Sequence, residues 1–134
     1  MKIFLDTNIL FSAILFPDST PDKALQKALL GHYKVITCDY VLDELYRNIL
    51  KKFPNKINAL KNFYKVFKSS IKVIKINSNI SNFPLKLRDE KDIPVLKAAI
   101  VSKSDILITG DKDFLESGIK DIKIITASQF YYDY

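Results

Sequence analysis

Lys2-Ile3-Phe4-Leu5-Asp6-Thr7 opens the chain with a short apolar run that stops at an acid. Lys2 to Leu5 reads as a strand buried on both faces, with Asp6 and Thr7 just past its carboxyl end. A second run of the same kind, Asp105-Ile106-Leu107-Ile108-Thr109, ends in Gly110-Asp111. Continuously apolar strands that alternate with helices point to a parallel sheet covered on both faces. Ligands of such sheets bind outside the carboxyl ends of the strands.

The segments between these runs supply the helices. Asn8 to Leu15 is apolar nearly all round and reads as a buried helix. Phe16-Pro17-Asp18-Ser19 reads as a turn, Thr20 as an N-cap with Pro21 at the first helical position, and Gly31 as the stop of that helix. Tyr33–Thr37 is expected as a strand, with a helix starting at Asp39, as its N-cap, and ending near Pro54. Asn55 to Phe67 carries Ile57, Leu60, Phe63, Tyr64 and Phe67 at helical spacing. A strand at 71–76, a polar irregular segment at 77–91 and a helix from Asp92 to Lys103 follow, with Pro94 tolerated in its first turn. After the Asp105–Thr109 strand come a helical turn at Asp113–Ser117, a strand at Ile122–Ile125 and a helix at Ala127–Tyr132. The expected class is α/β, a single domain spanning 1–134.

Composition narrows the function. With 48% hydrophobic and 27% charged residues the chain is of ordinary globular type. It has no apolar run long enough to span a membrane and no signal-peptide pattern, so a cytoplasmic protein is expected. Cys38 is the single cysteine and His32 the single histidine, which excludes an internal disulfide and a Cys/His zinc cage. Cys38 reads as a small buried hydrophobe. The net charge of +6 favours an anionic partner. From Leu45 through Arg88 there is no Asp or Glu, while Arg47, Lys51, Lys52, Lys56, Lys61, Lys65, Lys68, Lys72, Lys75, Lys86 and Arg88 lie within it. Lys61, Lys65 and Lys68 share one helical face, and Arg47 and Lys51 share another. These five are candidates for tracking nucleic-acid phosphates (those of RNA, on the resemblance given below), against the plainer reading of solvated helix faces.

The acids lie outside that stretch. Asp6 and Asp111 follow strand ends, Glu44 lies early in the helix after the second strand, and Asp92 starts the helix before the Asp111 strand. On a parallel sheet all four reach one edge. Clustered carboxylates repel unless a cation neutralises them, and all-oxygen ligands select Mg²⁺ or Mn²⁺. One or two such ions suit hydrolysis of a phosphodiester. Each acid also has a plainer role: Asp6 and Asp92 as helix caps, Asp111 as a turn residue. Periodicity sets Glu44 opposite the stripe Leu42, Leu45, Tyr46, Ile49, Leu50 and Phe53, which makes it solvated.

Four segments carry a family resemblance. Asp6-Thr7-Asn8-Ile9-Leu10, Val41-Leu42-Asp43-Glu44-Leu45, Arg88-Asp89-Glu90-Lys91-Asp92-Ile93-Pro94-Val95-Leu96-Lys97-Ala98-Ala99 and Ile108-Thr109-Gly110-Asp111-Lys112-Asp113-Phe114 resemble, in order, the four motifs of PIN-domain nucleases. The nearest subgroup is the toxins of toxin–antitoxin modules. The resemblance implies a three-layer sandwich with a five-stranded parallel sheet between helices. It implies Mg²⁺- or Mn²⁺-dependent cleavage of single-stranded RNA, with Asp6, Glu44, Asp92 and Asp111 as catalytic metal ligands. Asp113 would be an accessory metal-binding acid, and Thr7, Asn8 and Thr109 would orient the carboxylates. A homodimer and a small antitoxin partner are implied as well. The chain departs from the pattern at Asp18-Ser19-Thr20, where relatives often carry a Gly-rich turn.

Three other functions compete. An aspartate-nucleophile phosphatase would need an acid two residues after Asp6, where Asn8 stands. A purely RNA-binding module gains nothing from clustered carboxylates. A PIN nuclease of RNA processing or decay has the same motifs as a toxin. The aromatic tail Phe130-Tyr131-Tyr132-Asp133-Tyr134 reads as docking to the core or to a second copy rather than stacking on bases.

Overall fold

The computed structural model describes residues 1–76 and 90–134. Arg88 and Asp89 of the third motif, Lys86, and most of the segment expected to be irregular lie outside the described residues. Five strands, β1 (Lys2–Leu5), β2 (Lys34–Cys38), β3 (Ile71–Ile74), β4 (Ile106–Ile108) and β5 (Lys123–Ile125), form one sheet in the order β3-β2-β1-β4-β5. Every pairing is parallel. Helices α1 (Thr7–Leu15), α2 (Thr20–Leu30), α3 (Asp39–Lys52), α4 (Ile57–Phe67), α5 (Ile93–Val101), α6 (Lys112–Leu115) and α7 (Ala127–Asp133) flank it. This is the three-layer α/β architecture expected of the sequence.

The two apolar runs occupy the central strands. Ile3, Phe4, Leu5, Ile106, Leu107 and Ile108 are all buried, because helices cover both faces of the sheet. The edges are short and carry charge: Lys72 on β3 and Lys123 on β5 are exposed, which opposes pairing with another chain. The core continues into α1, where Ile9, Leu10, Ala13 and Leu15 are buried, and into α5, where Val95, Leu96, Ala98 and Ala99 are.

Several boundaries differ from the expected ones, and cap chemistry explains them. Ser19, not Thr20, is the N-cap of α2: its backbone is extended and its hydroxyl accepts the Asp22 amide, so Pro21 sits one position further in. Asp18 before it adopts φ +67, the left-handed conformation that Gly takes at no cost and Asp tolerates. Its amide donates to the Asp22 carboxylate at 2.9 Å. The turn that lacks the family's glycines is thus closed by Asp18, Ser19 and Asp22. Asp39 is not an N-cap either. It is the first residue of α3, and its Oδ1 accepts from the amides of Tyr40 and Ile76, tying the helix start to the chain beyond β3. Strand β3 ends at Ile74, two residues early. Short 3-10 turns at Pro54–Lys56 and Glu90–Asp92 replace the first turns expected for α4 and α5. The tail docks on its own chain: Phe130 is fully buried, and α7 packs on α2. Cys38 is buried, as its reading required.

Candidate active site

The carboxyl ends of β1 and β4 are adjacent in the sheet, and the residues just beyond them are joined by a chain of hydrogen bonds. Asp6 follows β1 and caps α1, with Oδ1 accepting the Thr7 amide at 2.7 Å. Its other oxygen accepts the Thr109 hydroxyl at 2.6 Å. That hydroxyl accepts the Asp111 amide at 3.0 Å, and Asp111 Oδ1 accepts the Asp113 amide at 2.9 Å. Asn8 Oδ1 accepts the Gly110 amide at 3.1 Å, pinning the β4 loop to the start of α1. Thr109 and Asn8 therefore link two segments about a hundred residues apart. Thr7 contributes through its amide. Its Oγ1 is buried and has no hydrogen-bond partner among the described residues.

Asp6, Thr7, Asn8, Phe11, Glu44, Asn48, Lys52, Asp92 and Asp111 line one cleft of about 200 Å³. Asp92, Asp111 and Asp113 each offer a carboxylate oxygen within 4.8 Å of the other two. The plain and the chemical readings coexist at two positions: Asp6 and Asp111 cap helices with one oxygen and face the cleft as well. At Asp92 the cap reading fails, since the side chain makes no cap hydrogen bond to α5.

Glu44 is half-buried in the cleft wall, not opposite the packed face of α3. The buried line of α3 is Val41, Leu45 and Ile49, while Tyr46 and Leu50 of the expected stripe are about half exposed. That rotation brings Glu44 to within about 100° of the buried line, beside the core rather than behind it. Asn48 and Lys52 follow at four-residue steps on the same side, and sequence reading passed over both as site residues. Their spacing from Glu44 was the signal available. Of the basic candidates, Arg47 pairs with Asp43 at 3.1 Å on the exposed surface of α3. Lys51, Lys61, Lys65 and Lys68 are exposed. Lys68 lines a groove with Lys2, Lys34 and Lys72 at the amino edge of the sheet, the edge opposite the acids.

Electrostatics mark Asp6 as costly. Burial pushes its carboxyl up to about 6, opposed by the hydrogen bonds from Thr109 and Thr7 and reinforced by the charges of Glu44 and Asp111. Such a group is stabilised by a nearby cation. The cleft's oxygen donors and the unpartnered Thr7 hydroxyl suit a hard divalent ion, and no Cys or His lines it among the described residues. Cys38 lies in the core with its thiol raised to about 11 by burial, so it offers no thiolate nucleophile.

The chain is similar to known proteins in sequence and in fold. A family model described as "PIN domain" matches residues 2–113. An uncharacterized protein of Methanocaldococcus jannaschii is 33% identical over 123 residues, covering 86% of this chain and 74% of its own. Among solved structures, VapBC2 from Rickettsia felis, bound to a DNA fragment from their promoter, superposes with a TM-score of 0.68 at 19% identity. It covers 94% of this chain and 98% of that one. VapC20 of Mycobacterium tuberculosis, a sarcin-ricin loop cleaving toxin, gives 0.62 at 14% identity over 90% and 98%. VapBC-1 of nontypeable Haemophilus influenzae gives 0.60 at 17% identity over 96% and 99%. These structures share the fold. The family model, which spans most of the chain, assigns the sequence: the chain belongs to the PIN-domain family.

Proposed function

We propose that this protein is a Mg²⁺- or Mn²⁺-dependent endoribonuclease that hydrolyses single-stranded RNA, and that it is the toxin of a toxin–antitoxin pair. The observation that carries the nuclease reading is the convergence of Asp92, Asp111 and Asp113 within 4.8 Å of one another, the first two of them lining a cleft with Asp6 and Glu44. The toxin reading is supported by the fold shared with a VapC toxin and two VapBC assemblies. With it go a small antitoxin partner, a homodimer and a cytoplasmic location. No helix among the described residues is long and apolar enough to cross a membrane, which accords with that location.

Asp6, Glu44, Asp92 and Asp111 would hold the cation, with Asp113 accessory. A bound Mg²⁺ or Mn²⁺ would supply Lewis acidity at the phosphoryl oxygens and make a bound water more acidic. The chain's own part is placement. Thr109 holds one oxygen of Asp6 and the backbone of Asp111 together, so the two acids keep a fixed relation. Asn8 fixes the loop between β4 and Asp111 through the Gly110 amide. The cleft's described lining holds no His or Cys, so among its side chains a carboxylate not engaged by the ion would be the group able to take a proton.

The test is cleavage of an unstructured RNA with Mn²⁺ or Mg²⁺ present. Cleavage should stop in EDTA, return with either ion, and be lost in Asp111→Asn. Cleavage that persists in EDTA, or equally in the variant, removes the proposal. The basic face of α4 gives a separate expectation. Neutralising Lys61, Lys65 and Lys68 together should weaken RNA binding and reduce the slope of log affinity against log salt by about 2. An unchanged slope would mean that these side chains are only solvated.

A further inference from the structure

We propose that Phe11, Asn48 and Lys52 form a subsite beside the acids that takes an unpaired base on the Phe11 ring and the adjoining phosphate on Lys52. The inference rests on the nuclease reading above and adds how the substrate is held. Glu44, Asn48 and Lys52 stand on successive turns of α3 and all line the cleft. From Glu44 to Lys52 the wall extends about 12 Å along the helix axis. It therefore passes from an anionic end, where the acids meet, to a cationic end.

Lys52 is the one cation among the described residues that line this cleft. A nucleic acid brings a phosphate on each side of the one being cut, and the carboxylates repel all of them. A cation at the far end of the wall gives a flanking phosphate a favourable seat and sets the direction of the strand. The Lys52 ammonium lies over the Phe11 ring, 6.0 Å from its centroid, so a phosphate that draws the ammonium aside also opens that face of the ring to a base. The Phe11 ring is half-buried and leans on Phe53, with centroids 6.0 Å apart and planes at 58°. Phe53 holds it from one side while Phe11 still lines the cleft. Asn48, between Glu44 and Lys52, offers an amide donor and acceptor to a base edge or a sugar hydroxyl.

An aromatic ring in this position selects for strandedness. A base in a duplex is already stacked on both faces, whereas an unpaired base gains a partner. Single-strand preference then follows from Phe11, with no sequence readout required.

Binding separates this subsite from the chemistry. Fluorescein-labelled unstructured RNA and a blunt duplex of the same sequence are titrated into the Asp6→Asn protein, with folding checked by circular dichroism. Adding Lys52→Gln should weaken binding of the single strand about tenfold and lower the salt slope by about 0.7. Adding Phe11→Leu, which keeps apolar volume but removes the ring, should weaken it about tenfold with the slope unchanged. Lys52→Arg should restore most of the affinity, and Phe11→Leu should change duplex binding less than about twofold. Unchanged affinity in either Lys52→Gln or Phe11→Leu, or equal losses on single strand and duplex in Phe11→Leu, overturns the subsite. Since these affinities are read in a cleavage-deficient background, a wild type that cuts no RNA refutes the nuclease reading separately.

Discussion

Asp6→Asn is expected to lower RNA cleavage on the order of 10³-fold while raising the melting temperature of the metal-free protein at pH 8. The two effects have one cause. Asp6 is buried, and its carboxyl is raised to about 6 from an ordinary 3.8. A raised carboxyl means that folding favours the protonated form. The stabilisation is fully present below about pH 3.8 and is lost as pH rises through about 6. Above that, the folded protein carries the charge at a cost of about 3 kcal/mol. Asn removes the charge but must reverse the hydrogen bond from Thr109, so a net gain of about 2 kcal/mol is expected at pH 8. The gain should shrink below pH 6 and vanish towards pH 4.

Divalent metal supplies the complementary result. Mn²⁺ should raise the melting temperature of the wild type, with an effect that grows with pH as Asp6 deprotonates, and should raise that of the variant less. A thermal scan at several pH values, with and without Mn²⁺, reads all of this. A variant less stable than wild type at pH 8 would make Asp6 a structural anchor and not a strained ligand. The arrangement is a familiar exchange of stability for function at a site of clustered charge.

The second large effect lies far from the acids. Phe130→Ala should destabilise the protein by about 3–5 kcal/mol, a large part of the stability of a domain this size. Phe130 is fully buried. Its ring meets Tyr33 edge-on at 5.3 Å and stacks with Tyr134 at 5.8 Å. The α7 helix is fastened at both ends. Thr126 and Gln129 form a capping box at its start. At its end the Lys27 ammonium, reaching from α2, donates to the carbonyls of Phe130 at 3.1 Å, of Tyr131 at 2.9 Å and of Tyr134. The same ammonium lies 5.2 Å from the Phe130 ring centroid. Removing the ring therefore empties a site that cannot readily collapse. Calorimetry should show a midpoint lowered by about 10–20 °C. A loss under about 1 kcal/mol would show that α7 is not docked in solution.

Local rules made much of this protein legible before its structure. The apolar runs at Ile3–Leu5 and Ile106–Ile108 are too short for helices, and a strand in a sheet covered on both faces buries every side chain in turn. The acid after each run lies at the carboxyl edge because a parallel sheet leaves it nowhere else. Boundaries were less legible, since a hydroxyl or carboxylate that caps is told from its neighbour only by the bond it makes. Ser19 against Thr20, and Cys38 against Asp39, are such pairs.

The sequence by itself determined the parallel α/β class, the strand-end positions of Asp6 and Asp111, and an oxygen-only choice of ligands. Tertiary structure decided which groups meet. Thr109 reaches Asp6 across 103 residues of chain because β1 and β4 are neighbours in the sheet. Glu44 joins the cleft because burial of Val41, Leu45 and Ile49 turns α3 further than its own apolar pattern indicates. A helix's rotation is set by what it packs against, and no periodicity within the helix carries that information. The same turn of α3 brings Lys52 and Asn48 to the acids, which is why the cationic end of the cleft became visible only in the folded chain.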